Sequence, residues 1–261
     1  VYKRQTIDGV EDIHNERKPH YRNKDSFAKI TSNVDSLLKL GISVSIRINT
    51  DPYTMERADE LLDYFKEKGW LQYQNFKAYY ALLRKEVPIK GENGEYSKEM
   101  FTQSSFFCTY LQKGLEKQGC GKVMCQDYSV RSVLTNMLLG KSTPYKSHFC
   151  GAQSGMIIFD PLGDIYSCWD VVGQREYRVG HYMPDFVLED TFADKWFDSR
   201  VSKFSCIKCK YVLFCGGGCL ANAIRTTGNL QSGTCNDYPR LFNAEIKYIY
   251  NEKIKKGIDE N

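Results

Sequence analysis

Cys206-Ile207-Lys208-Cys209-Lys210-Tyr211-Val212-Leu213-Phe214-Cys215-Gly216-Gly217-Gly218-Cys219 packs four thiols into 14 residues and sets three successive glycines between the last two. Working outward, Cys150 and Cys168 precede this stretch and Cys235 follows it, so seven of the ten cysteines fall in the 86 residues from Cys150 to Cys235. Their order is Cys150-x12-Gly163-x4-Cys168, a long gap, then Cys206-x2-Cys209-x5-Cys215-x3-Cys219-x15-Cys235. The chain opens on Val1 and shows no signal-peptide pattern of basic start, apolar middle and small-residue cleavage site, which predicts a cytoplasmic protein. Reducing compartments disfavour structural disulfides, so this density of cysteine points to metal or redox chemistry, and a disulfide scaffold is the weakest alternative.

A closed zinc site takes four ligands, whereas iron–sulfur clusters commonly take four thiolates each and tolerate a site completed by another group. Seven thiols divide most economically into four plus three under either metal. The glycine run tilts the choice towards clusters, because residues without side chains let backbone N–H groups approach sulfides closely. A tight turn is the simpler alternative. Cys108, Cys120 and Cys125 stand apart, and free cysteines commonly act as small buried hydrophobes, the reading favoured for Cys108. His148 and His181 lack a helical pairing and read as ordinary side chains, while Lys203, Lys208 and Lys210 flank the thiols as either a counter-charge or a solvated face.

The 261 residues hold 36 Lys plus Arg against 32 Asp plus Glu, a balance of +4 that is too mild to argue for nucleic acid. With 42% hydrophobic and 26% charged residues the composition is that of a globular protein, and no apolar run approaches the roughly 18 residues of a membrane span. Residues 1–5, Val1-Tyr2-Lys3-Arg4-Gln5, read as a translated adapter and are set aside from the fold, with the true N-terminus expected to be missing. Beyond them the patterns alternate. Ile42, Val44, Ile46 and Ile48 alternate with polar residues and predict a strand over 42–48. Helical periods over 26–40 and 54–68 flank it, closed by Gly41 and Gly69. A strand over 73–80, a polar loop over 86–97, a helix over 98–117 and a closing helix over 243–256 complete the series. This is a β/α rhythm with about three strands, too few to close a barrel.

The cysteine pattern resembles the SPASM domain, the seven-cysteine C-terminal extension of radical SAM enzymes that modify peptides and proteins. The text from Met156 to Cys168, with its Pro161-Leu162-Gly163-Asp164 turn, resembles the hairpin of that family. The resemblance implies two auxiliary [4Fe–4S] clusters, one held by Cys206, Cys209, Cys215 and Cys235 and the other by Cys150, Cys168 and Cys219. The second set is one ligand short, since the position of the additional cysteine of sulfatase maturases is taken by Pro144. Cys125 or Cys120 is then expected to reach in, or the iron keeps an open position for a substrate group.

Thr6-Ile7-Asp8-Gly9 through Arg17, followed by Arg47-Ile48-Asn49-Thr50-Asp51, resembles the fourth and fifth strands of the radical SAM partial barrel. The expected fold is therefore α/β: the C-terminal half of a partial (β/α)6 TIM-like barrel over 6–125, a linker helix over 126–149 and a small SPASM domain over 150–255. The same resemblance places Thr6 on the methionyl end of S-adenosylmethionine and Arg17 or Lys18 on its carboxylate. Asn49 belongs at a strand's C-terminal end, the face where such barrels carry their sites. A cation meeting a carboxylate in a partly desolvated pocket makes a charge-assisted bond, and ordinary turn and capping chemistry is the alternative for all four residues.

No three cysteines carry the Cys-x3-Cys-x2-Cys spacing of the cluster that cleaves S-adenosylmethionine. The expectation is the C-terminal portion of a radical SAM oxidoreductase, inactive by itself, acting on a peptide or protein substrate with an electron donor as a second partner. Maturation of ribosomally made peptides leads. Sulfatase maturation, a formylglycine-forming reaction, stands second, because the aspartate that follows the second cysteine there is replaced by Trp169, with Asp170 one place later as a weak candidate base. A non-catalytic zinc-binding interaction module is the alternative from another class.

Overall fold

A computed structural model describes residues 2–83, 100–128, 130–143, 145–190 and 192–255. The expected loop over 86–97 and Pro144 lie outside the described residues. The chain divides into two compact units, Val1–Tyr128 and Ser129–Asn261.

The first unit runs β1 (Tyr2–Thr6), α1 (Glu11–Arg17), α2 (Phe27–Lys39), β2 (Ser43–Thr50), α3 (Pro52–Glu56), α4 (Ala58–Glu67), β3 (Phe76–Leu82), α5 (Gln103–Gln112), α6 (Leu115–Gln118) and β4 (Val123–Cys125). Its strands form one sheet in the order β1-β2-β3-β4, every pair parallel. The sheet has four strands where about three were expected: β4 is the one no pattern announced, and β1 begins in residues that had been set aside. Tyr2–Thr6 pairs residue for residue with Ser43–Arg47, so these residues belong to the fold from which they had been set aside. The missed signal is a non-local one: this strand is defined by a partner some forty residues downstream.

Alternation along β2 sorts its two faces. Val44, Ile46 and Ile48 are buried on the face that packs against α2, while Arg47 and Asn49 stay half-buried on the other. On that second face Thr6 and Tyr79 flank Arg47 in register. Parallel sheets are ordinarily apolar on both faces, so a polar face marks a surface turned towards something other than a helix layer. α2 ends as the sequence predicts. Gly41 takes φ +73°, its N–H donates to Leu38 O at 3.0 Å, and Ile42 N–H donates to Leu37 O at 3.0 Å, the double closure of a Schellman cap. The helix expected over 54–68 is broken at Arg57 into α3 and α4 because Asp51 caps an earlier start. The helix expected over 98–117 is shorter, with Gly114 at φ +64° separating α5 from α6.

The second unit holds α7 (Arg131–Leu138), a four-stranded antiparallel sheet of β5 (Ile158–Phe159), β6 (Asp164–Tyr166), β7 (Gly180–His181) and β8 (Val187–Leu188), then α8 (Val212–Cys215), α9 (Leu220–Thr227) and α10 (Tyr238–Ile249). α7 packs on α10, which starts earlier than the closing helix expected over 243–256 and gives way to a π-helical turn over Tyr250–Lys255. Asp160 closes the hairpin between β5 and β6, its Oδ1 accepting from Leu162 N–H at 2.8 Å and Asp164 N–H at 2.9 Å. The core gathers Ile165, Tyr166, Cys168, Trp196, Phe204 and Leu220, with Cys150, Cys206 and Cys219 packed against it.

Candidate functional site

In the first unit a polar network sits where β1 and β2 end. Asp8, 4% exposed, follows β1 directly and takes a double load: its Oδ2 pairs with Lys18 Nζ at 3.1 Å and its Oδ1 accepts from Asn49 Nδ2 at 2.8 Å. Asn49 Oδ1 in turn accepts from Arg47 Nε at 2.9 Å. The backbone N–H of Asp8 donates to Nδ1 of the fully buried His14 at 3.0 Å, which fixes that ring as an acceptor there and therefore neutral. Burial holds the His14 imidazole below its usual range, opposed by the charge of Asp8.

Arg17 and Lys18 part company. Arg17 is committed, its Nη2 on Asp51 Oδ2 at 2.6 Å and its Nη1 on Thr54 Oγ1 at 2.8 Å, with side chains 9% and 4% exposed for the ion pair. Asp51 also caps α3 through Thr54 N–H at 2.8 Å, so Arg17 ties the end of α1 to the start of α3. Lys18 keeps 41% of its side chain exposed and shares the Asp8 network with Asn49. The structure thus brings Lys18 and Asn49 together, sets Thr6 beside Arg47 in the sheet, and directs Arg17 into a structural tie.

In the second unit the half-buried Cys206 and Cys215 each feel the charges of Cys209 and Cys235, and the buried Cys168 feels those of Cys219 and Cys150. Burial pushes the Cys168 thiol up to about 11, with Asp170, Cys219 and Cys150 adding to it and the Asp170 backbone opposing. Burial likewise raises Cys215, countered by the Gly217 N–H that donates to its Sγ at 3.3 Å. Among the described residues no three His, Cys, Asp or Glu side chains converge as closely as a single ion requires.

The glycine run serves both expectations. Gly216, Gly217 and Gly218 all take left-handed φ, at +73°, +86° and +87°. A Cβ on them would strike the His148 carbonyl, the Phe204 ring and the Thr234 carbonyl respectively, so tight turning by the chain itself demands glycine here. Of the three glycines, Gly217 supplies a backbone donor to a thiol, that of Cys215. Thr234 N–H donates to Gly217 O at 2.8 Å, which brings Cys235 alongside, and a Cβ on Gly233 would lie 2.6 Å from Cys206 Sγ.

Sequence reasoning missed Asp8, Arg47, Asp51 and Gln153. Gln153, fully buried, accepts from the N–H of Phe149 at 2.9 Å and of Cys150 at 3.3 Å and donates to Ser199 O at 2.5 Å, holding the backbone that carries Cys150. The Asp51-Pro52 pair was a readable helix-start signal; the others depend on distant partners. Cys108 is exposed on α5, against the buried reading, and Cys120 is exposed as well. Cys125 is buried in the first unit at the end of β4. His148 Nδ1 lies 2.8 Å from Arg200 Nη1, which occupies it as a hydrogen-bond acceptor. Asp170 lies half-buried in a short turn behind the 69% exposed Trp169.

The mixed α/β fold is similar to those of anSMEcpe and SuiB, and no family model matches the chain. The chain aligns over 98% of its length with AdoMet-bound anSMEcpe at a TM-score of 0.63 and 17% identity, spanning 67% of that chain. With Streptococcus suis SuiB the values are 0.56 and 14%, over 90% of this chain and 54% of that one. Structures of anSMEcpe with AdoMet and the Kp18Cys peptide, and of SuiB with its precursor peptide SuiA, are also similar. In sequence the chain is 22% identical over 267 residues to the serine-type anaerobic sulfatase-maturating enzyme of Bacteroides thetaiotaomicron, over 94% of this chain and 62% of that protein. It is 23% identical over 222 residues to the cysteine-type enzyme of Clostridium perfringens, over 82% and 56%. The chain spans less than two thirds of the length of these relatives.

Proposed function

We propose that this chain is part of a radical S-adenosylmethionine enzyme that modifies a side chain of a peptide or protein. The observation that carries the reading is the spacing of the seven thiols between Cys150 and Cys235 in a chain similar to sulfatase-maturating enzymes. Cys206, Cys209, Cys215 and Cys235 would hold one auxiliary [4Fe–4S] cluster, and Cys150, Cys168 and Cys219 a second with one iron position left for a further group. Such clusters, when bound, supply one-electron chemistry at potentials set by hydrogen bonds and burial. The protein's own part is positioning. Gly217 N–H donates to Cys215 Sγ, and Gln153 fixes the backbone of Cys150.

S-Adenosylmethionine, when bound with its catalytic cluster, supplies the radical precursor. Lys18, paired with Asp8 but 41% exposed, is the more accessible cation for its carboxylate, because Arg17 is nearly buried in its pair with Asp51. Asp8 holds Lys18 and Asn49 together and so orients both, and Thr6 offers its hydroxyl on the same sheet face. The 261 residues contain no Cys-x3-Cys-x2-Cys motif, so no residue here is assigned to the cleavage step.

Formylglycine formation on a sulfatase is a second reading, favoured by the sulfatase-maturating relatives and weakened by Trp169 after Cys168. Iron and sulfide analysis of the anaerobically reconstituted chain tests the proposal. About eight iron and eight sulfide per chain are expected for two cubane clusters; stoichiometric zinc without sulfide would end it in favour of a zinc-binding module.

A further inference from the structure

The four strands of the first unit contain Lys3, Arg4, Arg47 and Lys77 and no carboxylate. Register sorts three of these cations onto the polar face of the sheet. Arg4 and Lys77 both pair with Ser45, and Arg47 lies between Thr6 and Tyr79, whereas Lys3 meets the buried Val44 and belongs to the helix-covered side. Lys77 Nζ lies 5.8 Å from the Tyr2 ring centroid, a contact that spans β2 on the polar face. Arg47 is the cation held in one orientation. Its Nε donates to Asn49 Oδ1 at 2.9 Å, and Asn49 Nδ2 donates to Asp8 Oδ1 at 2.8 Å, while Asp8 Oδ2 faces Lys18 at 3.1 Å. Arg47 therefore reaches Asp8 only through the Asn49 amide, and the charge of that carboxylate is met by Lys18. Among the described residues neither Nη of Arg47 makes a hydrogen bond or ion pair, and the hydroxyl of its neighbour Tyr79 is equally unused. Both side chains are half-buried. Adjacent strands run about 4.8 Å apart, so the open guanidinium fork and the phenol stand side by side.

A guanidinium drawn half out of water without a counter-charge is a cost to the fold. Two N–H groups left open in one plane, with a hydroxyl donor beside them, match a carboxylate in sign and in geometry. We infer that Arg47 and Tyr79 form a subsite for an Asp or Glu side chain of the peptide substrate, with Asn49 as the residue that orients the guanidinium. The occupant is an acidic peptide because the face offers three cations and no carboxylate of its own. The inference rests on the peptide-modifying function proposed above and names the class of substrate for it. Lys18 and Thr6 stay with S-adenosylmethionine, so the two carboxylates are met by different cations.

The test uses the anaerobically reconstituted chain, immobilised, and an equimolar library of octapeptides with a fixed central Cys and Glu, Gln or Lys placed at each other position in turn. The peptides are acetylated and amidated, which leaves the Glu side chain as their sole carboxylate. Mass spectrometry of the retained fraction is expected to show Glu enriched over Gln at one position by about tenfold at low salt. Arg47→Gln should erase that preference with an unchanged circular dichroism spectrum, and Lys3→Gln, on the opposite face, should keep it. Where Arg47→Gln does not fold, Arg47→Lys, which retains a point charge without the fork, should lower the preference several-fold. Equal retention of Glu and Gln peptides by the wild-type chain overturns the subsite. So does a preference that survives Arg47→Gln, or one that falls equally in Lys3→Gln. Loss of the preference on adding S-adenosylmethionine overturns it as well and gives Arg47 to the cofactor's carboxylate. Iron and sulfide content reads the function separately. A fully loaded chain with no Glu preference removes the subsite alone; an Arg47-dependent preference in a chain that takes up no iron and sulfide supports the subsite and removes the radical chemistry ascribed to its ligand.

Discussion

Lys18 and Arg17 are neighbours in sequence with opposite fates, and the reason is angular. Successive residues of a helix point about 100° apart, so one guanidinium turns inward to Asp51 while the adjacent ammonium turns to Asp8 and stays half in solvent. The sequence offered both as equal candidates because composition carries no direction. His14 repays attention at the same scale. Its folded-state value is held below the ordinary 6.5 by burial, so below that pH the unfolded chain takes up a proton that the folded chain refuses. Stability should therefore fall as pH drops below 6.5 and level off only beneath the lowered folded value, with a slope of at most about 1.4 kcal/mol per pH unit. Urea midpoints measured between about pH 7 and about pH 5 should show this slope, and His14→Gln should flatten it. An unchanged slope in the variant would assign the acid sensitivity to other groups.

At the scale of elements, two glycines with similar backbone angles predict different costs. Gly41 ends α2 at φ +73° with nothing near its missing Cβ, so Gly41→Ala should cost only the left-handed strain, about 1 kcal/mol. Gly218 takes φ +87° and faces the Thr234 carbonyl, so Gly218→Ala adds a backbone collision and should cost clearly more, about 2 kcal/mol or above. Denaturation midpoints of the two variants check the ranking, and Gly218→Ala should also take up less iron, because Thr234 carries Cys235. Equal costs would mean that the segment around Cys235 yields freely. The helix stops were legible in sequence because a C-terminal cap is a local signal. β1 was not, since an edge strand of mixed polarity is recognised only through its partner, and neither was the break at Arg57, where the cap at Asp51 competes with a continuous helical period.

For the whole molecule, the cysteine pattern was readable because Cys206, Cys209, Cys215 and Cys219 lie within 14 residues, while Cys150, Cys168 and Cys235 stand farther off. The division of the thiols into sets of four and three is what the family resemblance implies and belongs to the proposed function. The Asp8 hub was not readable, since Asn49 meets it across 41 residues. Among the described residues no helix is long and apolar enough to cross a membrane. The contrast between the buried Cys168 and the exposed Cys209 and Cys235 has a chemical corollary for the metal-free chain. A sulfhydryl whose ionisation is deferred to about 11 stays protonated in neutral buffer, and only the ionised form attacks iodoacetamide. Brief alkylation followed by peptide mass mapping should therefore mark positions 209 and 235 and spare 168.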